Sequence, residues 1–466
     1  MKPALSPLLL CAVLSPLPGL AAPLDLPERP GTFWLGQDAL PDEAQAPAAQ
    51  TEPIRFDSLA ALTEHALRER PESRAAWLGI QAEAARLDAA TAANWPRLTG
   101  QLSFTHSRSL SSSGASTPTQ NRYGPSLSLA YVLYDFGARA ADIDTQRYQL
   151  IASLLGSNGT LQDTIAEVEA AYYALLGVRA QVDALRQLEV SLRASLDAAE
   201  ARLQGGLASR ADQLRARAAL AETQLARQAA ERDQAKAEAA LKQAASIEQT
   251  RGLVLDWKAQ LPAELEVADM LADLLAEAQR RRPDLQALRA AAASARAAAE
   301  RARAARWPTL SLAANGGRTF FLEDEREPST SYSVGVNLSV PLFDGGRLAA
   351  EARAADLDAE RLAAEVETQR SVVSREVTDA YLDVRHAQAQ REGVAVQFES
   401  ASESARAAEA RYTSGIGSLL ELLTAQAALA RAQQAQSQAD SDWLAAFSRL
   451  NRALGRLPVA VSTSQP

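Results

Sequence analysis

Three histidines, His65, His106 and His386, and one cysteine, Cys11, are all the imidazole and thiol groups the chain carries, and they stand far apart in sequence. A catalytic or metal centre needs such groups at ligand spacing or beside an activating partner. No metal-spaced His/Cys cluster, phosphate loop or nucleophile elbow occurs, so neither an enzyme nor a metal or cofactor site is expected. Carboxylates are plentiful, but they are spread along helical segments beside arginines, the pattern of solvated ion pairs. A net charge of -9 argues against a nucleic-acid partner. The distinctive residues are of another kind: glycine turns at Gly205-Gly206 and Gly415-Ile416-Gly417, each followed by a serine, Ser209 or Ser418, able to cap a helix.

Very long elements must present those turns. Hydrophobic residues make up 47% of the chain but much of that is alanine, aromatics are 5%, and the 23% of charged residues are interspersed. This is the composition of long helices with coiled-coil seams rather than of a compact α/β core. The N-terminus reads as a secretory signal: Lys2, an apolar run over 4–17 broken by prolines, and Gly19-Leu20-Ala21 before cleavage after Ala21 or Ala22. Cys11 would leave with it, so the mature chain is expected to have no disulfide and no lipidated cysteine. No later run of about 18 apolar residues could form a transmembrane helix. An exported chain of this kind is periplasmic, secreted, or embedded in a membrane as β-strands.

The chain repeats itself. Arg70-Pro71 and Trp95-Pro96 recur as Arg282-Pro283 and Trp307-Pro308 at an offset of 212. Further on the offset is 209: Asp135, Gly137, Glu167-Val168 and Ala171-Tyr172 match Asp344, Gly346, Glu376-Val377 and Ala380-Tyr381. Glu200, Arg202, Gly206, Leu207 and Ser209 match Glu409, Arg411, Gly415, Ile416 and Ser418 in the same register. Alanine-rich sequence can mimic similarity, but it does not align Trp-Pro, Tyr and Gly together.

Each half predicts a helix (72–94, 284–306) that Trp-Pro ends, because proline disfavours helix at the preceding residue. Two alternating segments follow. Leu98, Leu102 and Phe104 interleave with Thr99, Gln101 and Ser103, and Tyr332, Val334, Val336 and Leu338 interleave with Ser333, Gly335 and Asn337. A period of two with unlike faces is a strand, either in a half-buried soluble sheet or in a membrane barrel. Asp135 and Asp344 are expected to cap long helices over 138–203 and 347–412, roughly 100 Å each at 1.5 Å per residue. Returning helices start at Ser209 and Ser418. The chain thus divides into a signal (1–21), a proline-rich strap or tail (22–54), and a first repeat (55–266, with strand pair 97–134, helical hairpin 138–247 and crossing segment 248–266). A second repeat (267–457, with strand pair 309–342 and helical hairpin 346–454) and a tail (458–466) complete it.

Strands in lipid must close with no free edge, and small barrels need about eight strands or more. Four per chain cannot close, whereas three copies give twelve. A short barrel standing on a long helical barrel follows.

The duplicated helix–strand–strand–helix plan, with Asp before each long helix and the tip sequence from Ala410 to Leu423, resembles the TolC-type outer-membrane efflux proteins over about residues 55–457. The resemblance implies a mainly α chain with a small β part, forming a homotrimeric channel-tunnel: a 12-stranded β-barrel in outer-membrane lipid of a Gram-negative bacterium, on an α-barrel across the periplasm. It implies docking to a periplasmic adaptor protein tied to an inner-membrane pump or ABC exporter, with no cofactor.

By the same resemblance, the adaptor engages the glycine-turn tips, here Gly206, Leu207, Ser209 and Asp212 with Gly415, Ile416, Ser418, Glu421 and Leu422. The plainer reading makes them good helix-hairpin turns, and both can hold. The family's acidic periplasmic gate transfers poorly, because Arg406 stands where an acid is expected. Glu399, Glu403 and Arg406 form either a mixed-charge gate or a solvated helix face. Small-molecule efflux is the first expectation for function, with the outlet of a type I protein secretion system beside it. An exported structural coiled-coil protein is the alternative of another class, which leaves the strand pairs unexplained.

Overall fold

The computed structural model describes residues 52–108, 120–256, 271–322 and 327–456. The expected signal, nearly all of the proline-rich segment, part of the crossing segment and the C-terminal tail lie outside the described residues. The first half runs β1 (Ile54–Phe56), α1 (Leu59–Glu69), α2 (Pro71–Thr91), β2 (Arg97–Ser107), β3 (Gln120–Tyr134), α3 (Ala138–Gln204), α4 (Arg210–Ala244) and β4 (Leu253–Leu255). The second runs α5 (Leu271–Arg281), α6 (Pro283–Ala304), β5 (Thr309–Phe321), β6 (Ser329–Ser339), α7 (Arg347–Thr413) and α8 (Leu419–Leu454).

Local chemistry sets the boundaries. Pro71 and Pro283 open α2 and α6, where the missing N–H has no intrahelical partner to lose. Trp95 is extended before Pro96, which stops the helix. The long helices α3 and α7 have 67 residues each. The shorter α2 and α4 both lie along α3, while α6 and α8 both lie along α7, and α3 packs on α6 and α8 as well. The mainly helical architecture with a small sheet therefore stands as expected.

Bulky side chains concentrate in two related cores. One gathers Leu274, Leu285, Val377, Val384, Trp443 and Leu450 from α5 to α8. The other gathers Phe56, Leu62, Val168, Tyr172, Leu175 and Leu241 from β1, α1, α3 and α4. Val168 and Val377, matched by the duplication, occupy corresponding places. A third cluster, with Leu192, Leu220, Tyr412, Leu419 and Leu422, binds the two helical hairpins near their turns.

Three features were not legible beforehand. Residues 54–56, assigned to strap or first repeat, pair in parallel with 253–255, inside what read as an irregular crossing segment. Arg251 clasps the same place by donating from Nε to the Glu52 carbonyl at 2.8 Å. Strands of three residues carry no periodicity, so only a contact across 199 residues reveals them. Helices α1 and α5 also went unread. Lastly, the backbone caps of α3 and α7 are Gly137 and Gly346, in the left-handed region, not the aspartates. Asp135 and Asp344 act from two residues earlier: Arg139 N–H donates to Asp135 Oδ2 at 3.1 Å and Leu348 N–H to Asp344 Oδ2 at 2.8 Å.

Candidate functional site: a two-faced sheet and paired helix tips

The four long strands form one antiparallel sheet in the order β2-β3-β5-β6. Its register carries the alternation of each strand into rows across the sheet. Leu98, Leu129, Ala314 and Val334 align on one face, as do Tyr131, Leu312 and Val336, and then Phe104, Tyr123 and Phe320. The opposite face aligns Thr99, Ser128, Asn315 and Ser333, then Gln101, Ser126, Gly317 and Ser331. A bulge at Val132/Tyr134 re-registers the end nearest the helices.

The apolar face is uncovered: Leu102 is 78% exposed and Val334 72%. A soluble sheet would bury such a face, so its solvent is lipid. None of the four strands carries an Asp or Glu, and the polar face has only Arg97 and Arg122 as charges. Strands β2 and β6 each pair on one side only, which leaves two open edges. Among the described residues, no helix is long and apolar enough to cross a membrane.

At the other end of the long helices stand the tips. Gly206 and Gly415 have φ of 73° and 81°. In each turn the next residue's N–H reaches back to close the helix: Leu207 to the Arg202 carbonyl at 2.7 Å and Ile416 to that of Arg411 at 3.0 Å. Ser209 then caps α4, accepting from Asp212 N–H at 3.2 Å, while Asp212 Oδ2 accepts from Ser209 N–H at 3.2 Å. The Ser209 hydroxyl also donates to Asp212 Oδ2 at 2.7 Å, and this bond first, then the one from Ser209 N–H, holds the Asp212 carboxyl below the usual aspartate range. Ser418 caps α8 through Glu421 N–H at 3.2 Å, and Glu421 pairs with Arg411 at 3.1 Å.

The predicted tip residues thus come together, with one division. Leu207 and Ile416 are 82% and 77% exposed, whereas Leu422 is 3% exposed inside the tip core. Leu420, which sequence reading passed over, is exposed in its place. Also missed was Arg202, which donates from Nη2 to the Tyr412 carbonyl at 2.7 Å and lies 4.1 Å over the Tyr412 ring. Its match to Arg411 in the duplication was visible, but its contact was not.

Of the gate candidates, Glu403 and Arg406 form an exposed pair at 2.5 Å on one turn of α7. Glu399 stands one turn away on α7 and is exposed as well. Among the described residues there is no His/Cys/Asp/Glu group able to hold a metal.

The model of the outer membrane efflux protein family matches residues 62–246 and again 274–456, the two halves of the duplication. Protein CyaE of Bordetella pertussis is 31% identical over 400 residues, which is 85% of this chain and 81% of that protein. The toluene efflux pump outer membrane protein TtgI of Pseudomonas putida is 25% identical over 96% of this chain and 95% of its own. The alkaline protease secretion protein AprF of Pseudomonas aeruginosa is 30% identical over 38% of this chain and 37% of its own. Among solved structures, the outer-membrane channel OprN superposes with a TM-score of 0.75 at 23% identity, covering 89% of this chain and 98% of that one, a likeness of fold. Twice matched by one family model along a chain whose sheet is built to face lipid, this protein belongs to the outer membrane efflux protein family, channel proteins of the Gram-negative outer membrane rather than enzymes.

Proposed function

We propose that three copies of this chain close into one tube, a passive exit duct that passes substrates delivered by an inner-membrane pump or ABC exporter through a periplasmic adaptor. The observation that carries this reading is the sheet with an uncovered apolar face, a polar reverse and two open edges. Unpaired strand edges are untenable in lipid, and β6 of one copy meeting β2 of the next removes them. The exposed apolar tips, Leu207 and Ile416, are the adaptor's docking points, and Glu399, Glu403 and Arg406 line the narrowing periplasmic end. Small-molecule efflux is the favoured cargo class, because TtgI, named for toluene efflux, aligns over nearly the whole chain. Protein secretion is the second reading, supported by the shorter match to AprF.

The test is the mass and conductance of the detergent-extracted protein. Native mass spectrometry is expected to give three copies, and planar bilayers discrete single channels. A monomer that never conducts would sink the proposal.

A further inference from the structure

One charge stands on the lipid-facing side of the sheet. Arg318 shares a face with Gly316 and Phe320, and hence with Tyr123, Leu127 and Tyr332 across the ladder. All other positions on that face of the four strands are uncharged apart from His106 at its rim. A lipid-facing cation is costly at mid-bilayer and tolerated near the interface. Arg318 lies one register step from the aromatic row Phe104–Tyr123–Phe320, at the hairpin end that points away from every helix. Such a row marks a membrane interface, here the outer one. The guanidinium leans toward it, 5.3 Å over the Phe320 ring, which itself stacks on Tyr123 at 5.3 Å.

Hydroxyl groups flank the charge. Thr330 pairs directly with Arg318, and the Tyr332 side, 88% exposed, is one step along the same face. An arginine fork beside hydroxyl groups, with no carboxylate on any strand, matches a tetrahedral oxyanion.

We infer that Arg318, with Thr330 and Tyr332, binds the phosphate of an outer-leaflet lipid headgroup, one site per copy of the chain. This rests on the lipid placement of the apolar face. The test compares retention of bis-phosphorylated lipid A with that of the same lipid stripped of its phosphates, by native mass spectrometry of the full-length complex. Wild type is expected to hold the phosphorylated form on the order of tenfold more tightly, the scale of a charge-assisted pair. Arg318→Gln should erase that preference while Arg97→Gln, on the polar face, leaves it intact. Should Arg318→Gln fail to assemble, the wild-type comparison decides alone. Wild type retaining both lipids equally, or Arg318→Gln keeping the preference, overturns the site. Wild type retaining neither lipid overturns the lipid placement of the sheet and the site with it.

Discussion

Arg282 Nη1 lies 2.7 Å from the Glu376 carboxylate, and Arg70 Nη1 lies 2.6 Å from Glu167. The duplication matched these four residues in two separate blocks, Arg-Pro and Glu-Val, and the fold joins the blocks in both halves. Each arginine ends one helix and precedes the proline that opens the next, so the pair fixes that joint against the long helix. The halves differ in depth. The Arg282 side chain is 9% exposed and also holds Asp284 at 2.7 Å, whereas Arg70 is 15% exposed with partners more open to water.

Removing Arg282 is therefore the costlier change. Arg282→Met should destabilise by about 2–3 kcal/mol, below the full loss for a deeply buried pair because its carboxylates are partly exposed. Arg70→Met should cost about 1 kcal/mol. Urea midpoints of the detergent-solubilised proteins give the comparison, and equal losses would contradict the difference in depth.

Burial pushes the Asp284 carboxyl up, but the Arg282 hydrogen bond and charge outweigh it and leave it below the ordinary range. A depressed carboxyl contributes stability above its unfolded value, about 3.9, and loses it as pH falls through the folded value. Acid melting of wild type below about pH 4 should include a component that Arg282→Met lacks. Superimposable acid limbs would remove the assignment.

Glu169 presents the reverse sign. Burial between α3 and α8 raises its carboxyl above the usual range, against a hydrogen bond donated by the Ser448 hydroxyl. A raised carboxyl favours the fold at low pH, and that contribution fades as pH rises through the folded value. Glu169→Gln should raise the melting temperature at pH 7.5 and change it little at pH 4, read in parallel thermal scans. A variant less stable at both would show that the charge itself is needed.

At the tips, docking and folding are separable. Leu207→Asp with Ile416→Asp removes exposed apolar surface without touching a cap, so melting should be unchanged while cross-linking to the periplasmic adaptor is lost. Undiminished cross-linking would leave these residues as turn formers only.

Backbone conformation ranks the tip glycines. Gly415→Asn should be accepted, because asparagine tolerates φ near 81°, while Gly415→Val should cost about 1–2 kcal/mol. Gly417 is different: a Cβ there would lie 2.9 Å from Tyr412 N, so even Gly417→Ala must shift the turn. Thermal melts should place Asn above both other variants, and a harmless Gly417→Ala would show that the α7–α8 turn has slack.

By itself the sequence determined the repeats, the strand pairs, the two very long helices and the glycine turns. Each rests on a period or a stop signal within a few residues: Trp-Pro before the strands, alternation from Tyr332 to Leu338, glycine before Ser209 and Ser418. Tertiary structure decided what depends on partners distant in the chain. It set strand order, so that apolar positions on all four strands share one face and Arg318 stands among them. It paired residues 54–56 with 253–255, segments too short to show a period. It buried Leu422 and exposed Leu420, because α8 turns one side to the tip core. Periodicity says that an element has two faces, while only packing assigns each face its neighbour.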